Sequence, residues 1–104
     1  MTEPATTPTI EIVDALERRR FEALLDGELA GIAAYVRRDR RVIFTHTEVL
    51  PAFEGRGVGS ALAKGALDAV RAEGGTVTPR CPFIAAYIRR HREYADLVDA
   101  GTAS

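Results

Sequence analysis

The run Glu54-Gly55-Arg56-Gly57-Val58-Gly59-Ser60 constrains this chain more than any other segment, because three alternating glycines separate a strand-like stretch from a helix-like one. Upstream, Val42 to Val49 is rich in β-branched residues. Downstream, Val58, Leu62, Ala66 and Val70 recur at spacings of four and form one stripe of a helix running to Glu73. Glycines at such a junction let main-chain amides approach a ligand. A helix start adds unpaired N–H groups and the positive end of a dipole. A turn of this kind suits phosphate oxygens, so a phosphate-bearing cofactor is the first expectation. The plainer reading, a turn that serves only the fold, does not require three glycines.

Two phosphate-binding patterns are excluded by inspection. No Gly-Lys-Ser/Thr occurs, and the only lysine, Lys64, falls well inside the helix. A dinucleotide fingerprint would need a third glycine where Ser60 stands, and no acidic residue ends the next strand, Thr76 to Thr78, to hold a ribose hydroxyl. The segment Pro51 to Leu62 instead resembles the pyrophosphate loop [RQ]-x-x-G-x-[GA] of GNAT acyltransferases, with Gly57 and Gly59 at the small positions. Glu54 departs from it, standing where that family has Arg or Gln, so side-chain anchoring is left to Arg56.

The surrounding chain reads as one α/β (α+β) domain over residues 10–98, between a disordered lead-in (1–9) and a frayed tail (99–104). Arg18 to Leu25 and Glu28 to Val36 flank Asp26-Gly27, which favours a type I′ hairpin. The second of these strands is almost wholly apolar, which predicts a central position or cover on both faces. Arg41 to Val49 forms a third antiparallel strand. Strict alternation there puts Val42, Phe44, His46 and Glu48 on one face, and Ile43, Thr45, Thr47 and Val49 on the other. The helix stops at Gly74-Gly75, a crossover returns to a parallel strand at Thr76 to Thr78, and a short helix spans Pro82 to Arg90. His91 to Val98 adds a further turn or two. This order is a compact version of the GNAT fold, and full members are longer, so elements at both ends are expected to be absent.

Cys81 precedes Pro82, which favours the first helical position, so the cysteine is expected at the N-cap, where dipole and free amides favour a thiolate. Such a sulfur could accept an acetyl group or protonate a departing thiol; the alternative is a small buried filler. The segment Val77 to His91, with Tyr94 to Val98, resembles a branch of very small single-domain GNAT-like proteins, the YjdJ type, over roughly Glu11 to Val98. The resemblance implies acetyl-coenzyme A as cofactor and Cys81 and His46 as active-site residues. His46 shares the expected strand face with Glu48, a candidate base through water, and the three are expected to converge on one pocket. His91 reads as a helix cap. For the cofactor, the resemblance implies contacts from the main chain of Glu48, Val49 and Leu50. The loop Glu54, Gly55, Arg56, Gly57, Val58, Gly59 and Ser60 would hold the pyrophosphate. Phe83 and Tyr87 could meet the pantetheine arm, although their spacing of four also fits a core stripe.

Composition narrows the partners. The net charge of −1 gives no general case for nucleic acid or an anionic membrane, and the basic runs Arg18 to Arg20 and Arg37 to Arg41 have no interleaved aromatics for base stacking. Some of these arginines could instead meet an anionic substrate or the coenzyme's 3′-phosphate. No apolar run is long enough to span a membrane, and one cysteine suits a reducing cytoplasm. Two histidines and one cysteine at irregular spacing predict no metal site. The expected protein is thus an acetyl-coenzyme A-dependent acyltransferase, monomer or homodimer, acting on an unidentified amine. A coenzyme A-binding module without transfer is the alternative, and a thiol redox sensor is a weaker third.

Overall fold

The structure is a computed structural model and describes residues 9–98, so most of the expected lead-in and all of the tail lie outside the described residues. Strands β1 (Ile10–Ala15), β2 (Arg20–Leu25), β3 (Glu28–Arg38) and β4 (Arg41–Val49) precede helix α1 (Val58–Ala72). Strand β5 (Thr76–Pro79) and helix α2 (Pro82–Arg90) follow. Short 3₁₀ turns occupy Leu16–Arg18, Pro51–Phe53 and Arg92–Leu97. The sheet runs β1-β2-β3-β4-β5, with β1 to β4 antiparallel and β5 parallel to β4.

The hairpin between β2 and β3 follows from its turn: Asp26 and Gly27 both have positive φ, 50° and 88°, as a type I′ turn requires. The α1 stripe is buried at Val58, Leu62, Ala66 and Val70, and widened by Ala63 and Leu67. It packs over an aromatic group on the sheet in which Phe21, Tyr35 and Phe44 meet at centroid distances of 5.3–6.4 Å. Each fully buried side chain of this size contributes about 1.5–3 kcal/mol relative to exposure.

Two expectations are corrected. A fourth antiparallel strand, β1, stands before the hairpin. Its six residues pair with β2 from Ile10↔Leu25 to Ala15↔Arg20, a partnership that local pattern does not announce. β3 is central, one of the two positions its apolar run allows. Ala30, Ala33 and Tyr35 are buried, while Leu29, Ile32 and Ala34 on the other side are half-buried. The second correction concerns β4. Its register with β3 shifts between Ala34↔His46 and Tyr35↔Phe44, which leaves Thr45 as an extra residue in a bulge. Alternation therefore changes phase at Thr45. Thr47 and Val49 join Val42 and Phe44 on the helix-covered face, and His46 and Glu48 turn to the uncovered one.

An ion-pair network ties the far ends together. Arg37 on β3 donates to Asp14 of β1 at 2.8 Å and to Glu73, just after α1, at 3.1 Å, and lies over the Tyr35 ring. The Tyr35 hydroxyl donates to the same Asp14 carboxylate.

Candidate active site

Gly55 and Gly57 both have positive φ, 82° and 77°, with Gly57 as N-cap of α1 and no side-chain cap bond. Open space surrounds both Cα atoms, so backbone conformation, not crowding, demands glycine at these two positions. The Gly57 carbonyl accepts from the Ala61 N–H, leaving the amides of Val58, Gly59 and Ser60 without intrahelical acceptors. Helix α2 begins as expected, with Cys81 as N-cap (φ −78°, ψ 125°) and Pro82 in the first turn. Because α1 returns the chain between two parallel strands, both helices start at the same end of the sheet. They touch there: a Cβ built on Gly59 would come within 2.9 Å of the Phe83 ring.

A cleft of about 260 Å³ opens at this junction. Of the expected loop contacts, Glu54, Gly55, Gly57, Val58, Gly59 and Ser60 line it, as does Val49; Phe53 and Phe83 complete its walls. Arg56 is exposed outside the lining and pairs with no carboxylate among the described residues. Tyr87 does not line it either. It is 8% exposed, stacks on His91 at 4.0 Å, and has its phenol pushed up by burial. Tyr87 is thus a core residue, one turn beyond the aromatic ring that does face the cleft. Phe53 was not foreseen, since a lone aromatic beside a proline carries no distinguishing signal.

The sheet splits beside the cleft. β5 pairs with β4 only from Arg41↔Thr76 to Phe44↔Pro79, and the Cys81 N–H donates to the Phe44 carbonyl at 2.9 Å to close that ladder. Past that bond, no strand among the described residues pairs with Thr45 to Val49 on this side. The Leu50 N–H donates to Ala30 across the sheet at 2.8 Å. Antiparallel alternation then turns the main-chain groups of Thr47 and Val49 into the gap and those of Glu48 toward β3. Of the three residues expected to offer backbone contacts, Val49 turns its main-chain groups into the gap, as Thr47 does, whereas Glu48 and the Leu50 N–H face β3.

Cys81, 3% exposed, sits at the closed end of this wedge with its Sγ 3.0 Å from the Thr47 hydroxyl. His46 and Glu48 lie on the opposite face, Nε2 to Oε1 3.5 Å, with side chains 63% and 55% exposed. The expected trio therefore does not converge in a single pocket. Two pairs flank the wedge: a thiol with a hydroxyl inside, an imidazole with a carboxylate outside. Thr47 was missed because only the bulge at Thr45 brings it to the inner face. Among the described residues no cluster of His, Cys, Asp and Glu could hold a metal ion, and no helix is long and apolar enough to cross a membrane.

Comparison with known proteins agrees with this architecture. Residues 20–97 match the sequence profile of the GCN5-related N-acetyl-transferase family. No curated protein sequence is similar to the chain. The solution structure of a GCN5-like protein from Staphylococcus aureus superposes with a TM-score of 0.63 at 20% identity, covering 91% of each chain. The crystal structure of nourseothricin acetyltransferase matches at a TM-score of 0.44 and 22% identity, over 86% of this chain and 68% of that one.

Proposed function

Since the chain belongs to the GCN5-related N-acetyltransferase family and is thereby an enzyme of the acetyltransferase class, we propose that it transfers the acetyl group of acetyl-coenzyme A to an amine through the wedge between β4 and β5. The observation that carries this reading is the coincidence of the uncapped α1 N-terminus with an unpaired stretch of β4. The amides of Val58, Gly59 and Ser60 bind the pyrophosphate, helped by the helix dipole. Main-chain groups of Thr47 and Val49 bond the pantetheine amides as a neighbouring strand would, and Phe53 and Phe83 pack on the arm. Glu54 at the rim is exposed, and exposed Arg56 offsets its charge. Residues 10–98 form the acetyltransferase domain, in a reducing compartment such as the cytoplasm.

The thioester then lies near the Phe44–Cys81 closure, between the two residue pairs. The amine, deprotonated by His46 with Glu48 holding the imidazolium, attacks the carbonyl carbon. A C–N bond forms, the C–S bond breaks, and coenzyme A leaves as a thiolate. Cys81, its thiol steadied by Thr47, is positioned to give that sulfur a proton. The test is calorimetry of dialysed protein with acetyl-coenzyme A, followed by free-thiol release with an amine panel. Absence of heat at millimolar ligand refutes the cofactor. Stoichiometric binding without thiol release leaves a coenzyme A-binding module in its place, and an acetyl adduct on Cys81 makes it a covalent carrier.

A further inference from the structure

The uncovered face of the sheet holds a second concavity, about 460 Å³, at the closed end of the wedge. Its floor is Val36, Ile43 and Thr78, and Arg38, Arg41 and Arg80 surround it. No carboxylate lines it, and Arg38 and Arg80 form no ion pair among the described residues. Thr78 is 6% exposed and its hydroxyl is buried without a hydrogen-bond partner among the described residues, an exception to the usual pairing of buried polar groups. The register Ile43↔Thr78 turns this hydroxyl to the same face as the arginines.

We propose that this depression is the recognition subsite for an anionic group, carboxylate or phosphate, on the acyl acceptor, so that the substrate is an amine bearing a negative charge. The inference rests on the acyltransferase reading above. Two guanidinium forks match the oxygens of either anion, and the Thr78 hydroxyl donates to a third oxygen. Position assigns the site to acceptor, not cofactor. Ile43 is six residues from Val49 along β4, roughly 20 Å at a strand's rise, so the depression is remote from the glycine loop. Thr78 and Arg80 instead flank the Cys81 N–H bond to Phe44, where the thioester ends. An extended polyanion such as nucleic acid fits poorly, because no aromatic side chain lines the depression for base stacking.

The test uses ¹⁵N-labelled full chain titrated with inorganic phosphate and, separately, acetate. The expected result is saturable shifts at the Arg38 and Arg80 Nε–H groups and the Thr78 amide. Whichever anion saturates lower identifies the source chemistry. Arg38→Gln and Arg80→Gln should each weaken binding roughly tenfold. Shifts confined to Val58, Gly59 and Ser60, or absent altogether, overturn the proposal. In the turnover arm, kcat/KM is compared for phosphoethanolamine against ethanolamine and for β-alanine against β-alaninamide. The anionic partner should be preferred, and the double variant should reduce that preference at least about tenfold. Equal ratios in parent and variant overturn it. Acetyl-coenzyme A calorimetry on the same samples separates the two readings: loss of cofactor binding sinks the acyltransferase assignment while leaving the anion titration to decide the subsite.

Discussion

Replacing Gly65 with alanine should destabilise the protein although it improves a helix. Gly65 lies inside α1 against β1, and a Cβ there would stand 2.6 Å from Ile12 Cγ1 and 2.8 Å from Ile12 Cβ. Intrinsic propensity favours alanine by up to about 1 kcal/mol at a helix-interior site. Against this stands an overlap that rotamer change cannot relieve, because Cβ is fixed to the β1 backbone and the strand itself must retreat. Overpacking of this kind costs about 1–3 kcal/mol, so a net loss of about 1–2 kcal/mol is expected, a fall in Tm of several degrees for a chain of this size. Urea denaturation at matched m-values measures it, and amide exchange in β1 reports whether that strand loosens first. Ile12→Ala removes the Cγ1 and Cγ2 overlaps and keeps the Cβ one, so the double variant should recover part of the loss, with coupling above about 0.5 kcal/mol. A Gly65→Ala protein as stable as its parent would refute the docking of β1 on α1.

Phe83 is 40% exposed, so Phe83→Ala should barely alter stability yet weaken acetyl-coenzyme A binding about tenfold by calorimetry, since the ring walls the cleft; equal affinity would remove it from the site. Thr47→Val removes the hydroxyl beside Cys81. It should lower kcat and change the alkylation rate of Cys81 by iodoacetamide while leaving cofactor affinity near the parent's, and an unaltered alkylation rate counts against a held thiol. His46→Ala should lower kcat about tenfold while leaving cofactor affinity near the parent's; unchanged turnover demotes it to a surface residue. Glu22 on β2 is held below its ordinary value of 4.5, chiefly by the Arg20 hydrogen bond with Arg18 assisting, although burial opposes. Its contribution is therefore present above about pH 4.5 and lost as pH falls through the lowered value. The midpoint gap between parent and Glu22→Gln should close on the acid side, and a gap constant from neutral to acid contradicts the pairing.

What could be read from the chain was whatever is decided locally. The Asp26-Gly27 turn, the α1 stripe, the glycine junction and the Cys81-Pro82 helix start each follow from steric or capping rules acting within a few residues. What could not be read was decided across strands. The bulge at Thr45 is a property of the β3–β4 register, and it moved His46 and Glu48 to one face and Thr47 to the other. β1 becomes a strand because β2 offers it an edge. The arginine depression gathers Arg38 from β3, Arg41 from β4 and Arg80 from the link after β5, and as separate positions they are indistinguishable from solvated turn residues.

Unpaired N–H and C=O groups in mid-sheet, like those of Thr47 and Val49, are a template for strand addition by another chain. The proposed acetyl-coenzyme A, laid along that edge, would act as a surrogate strand and shield the template. At a hundredfold excess over Kd it would add about 2.7 kcal/mol to the folded state. One ligand would then serve both as substrate and as a guard against edge-to-edge pairing.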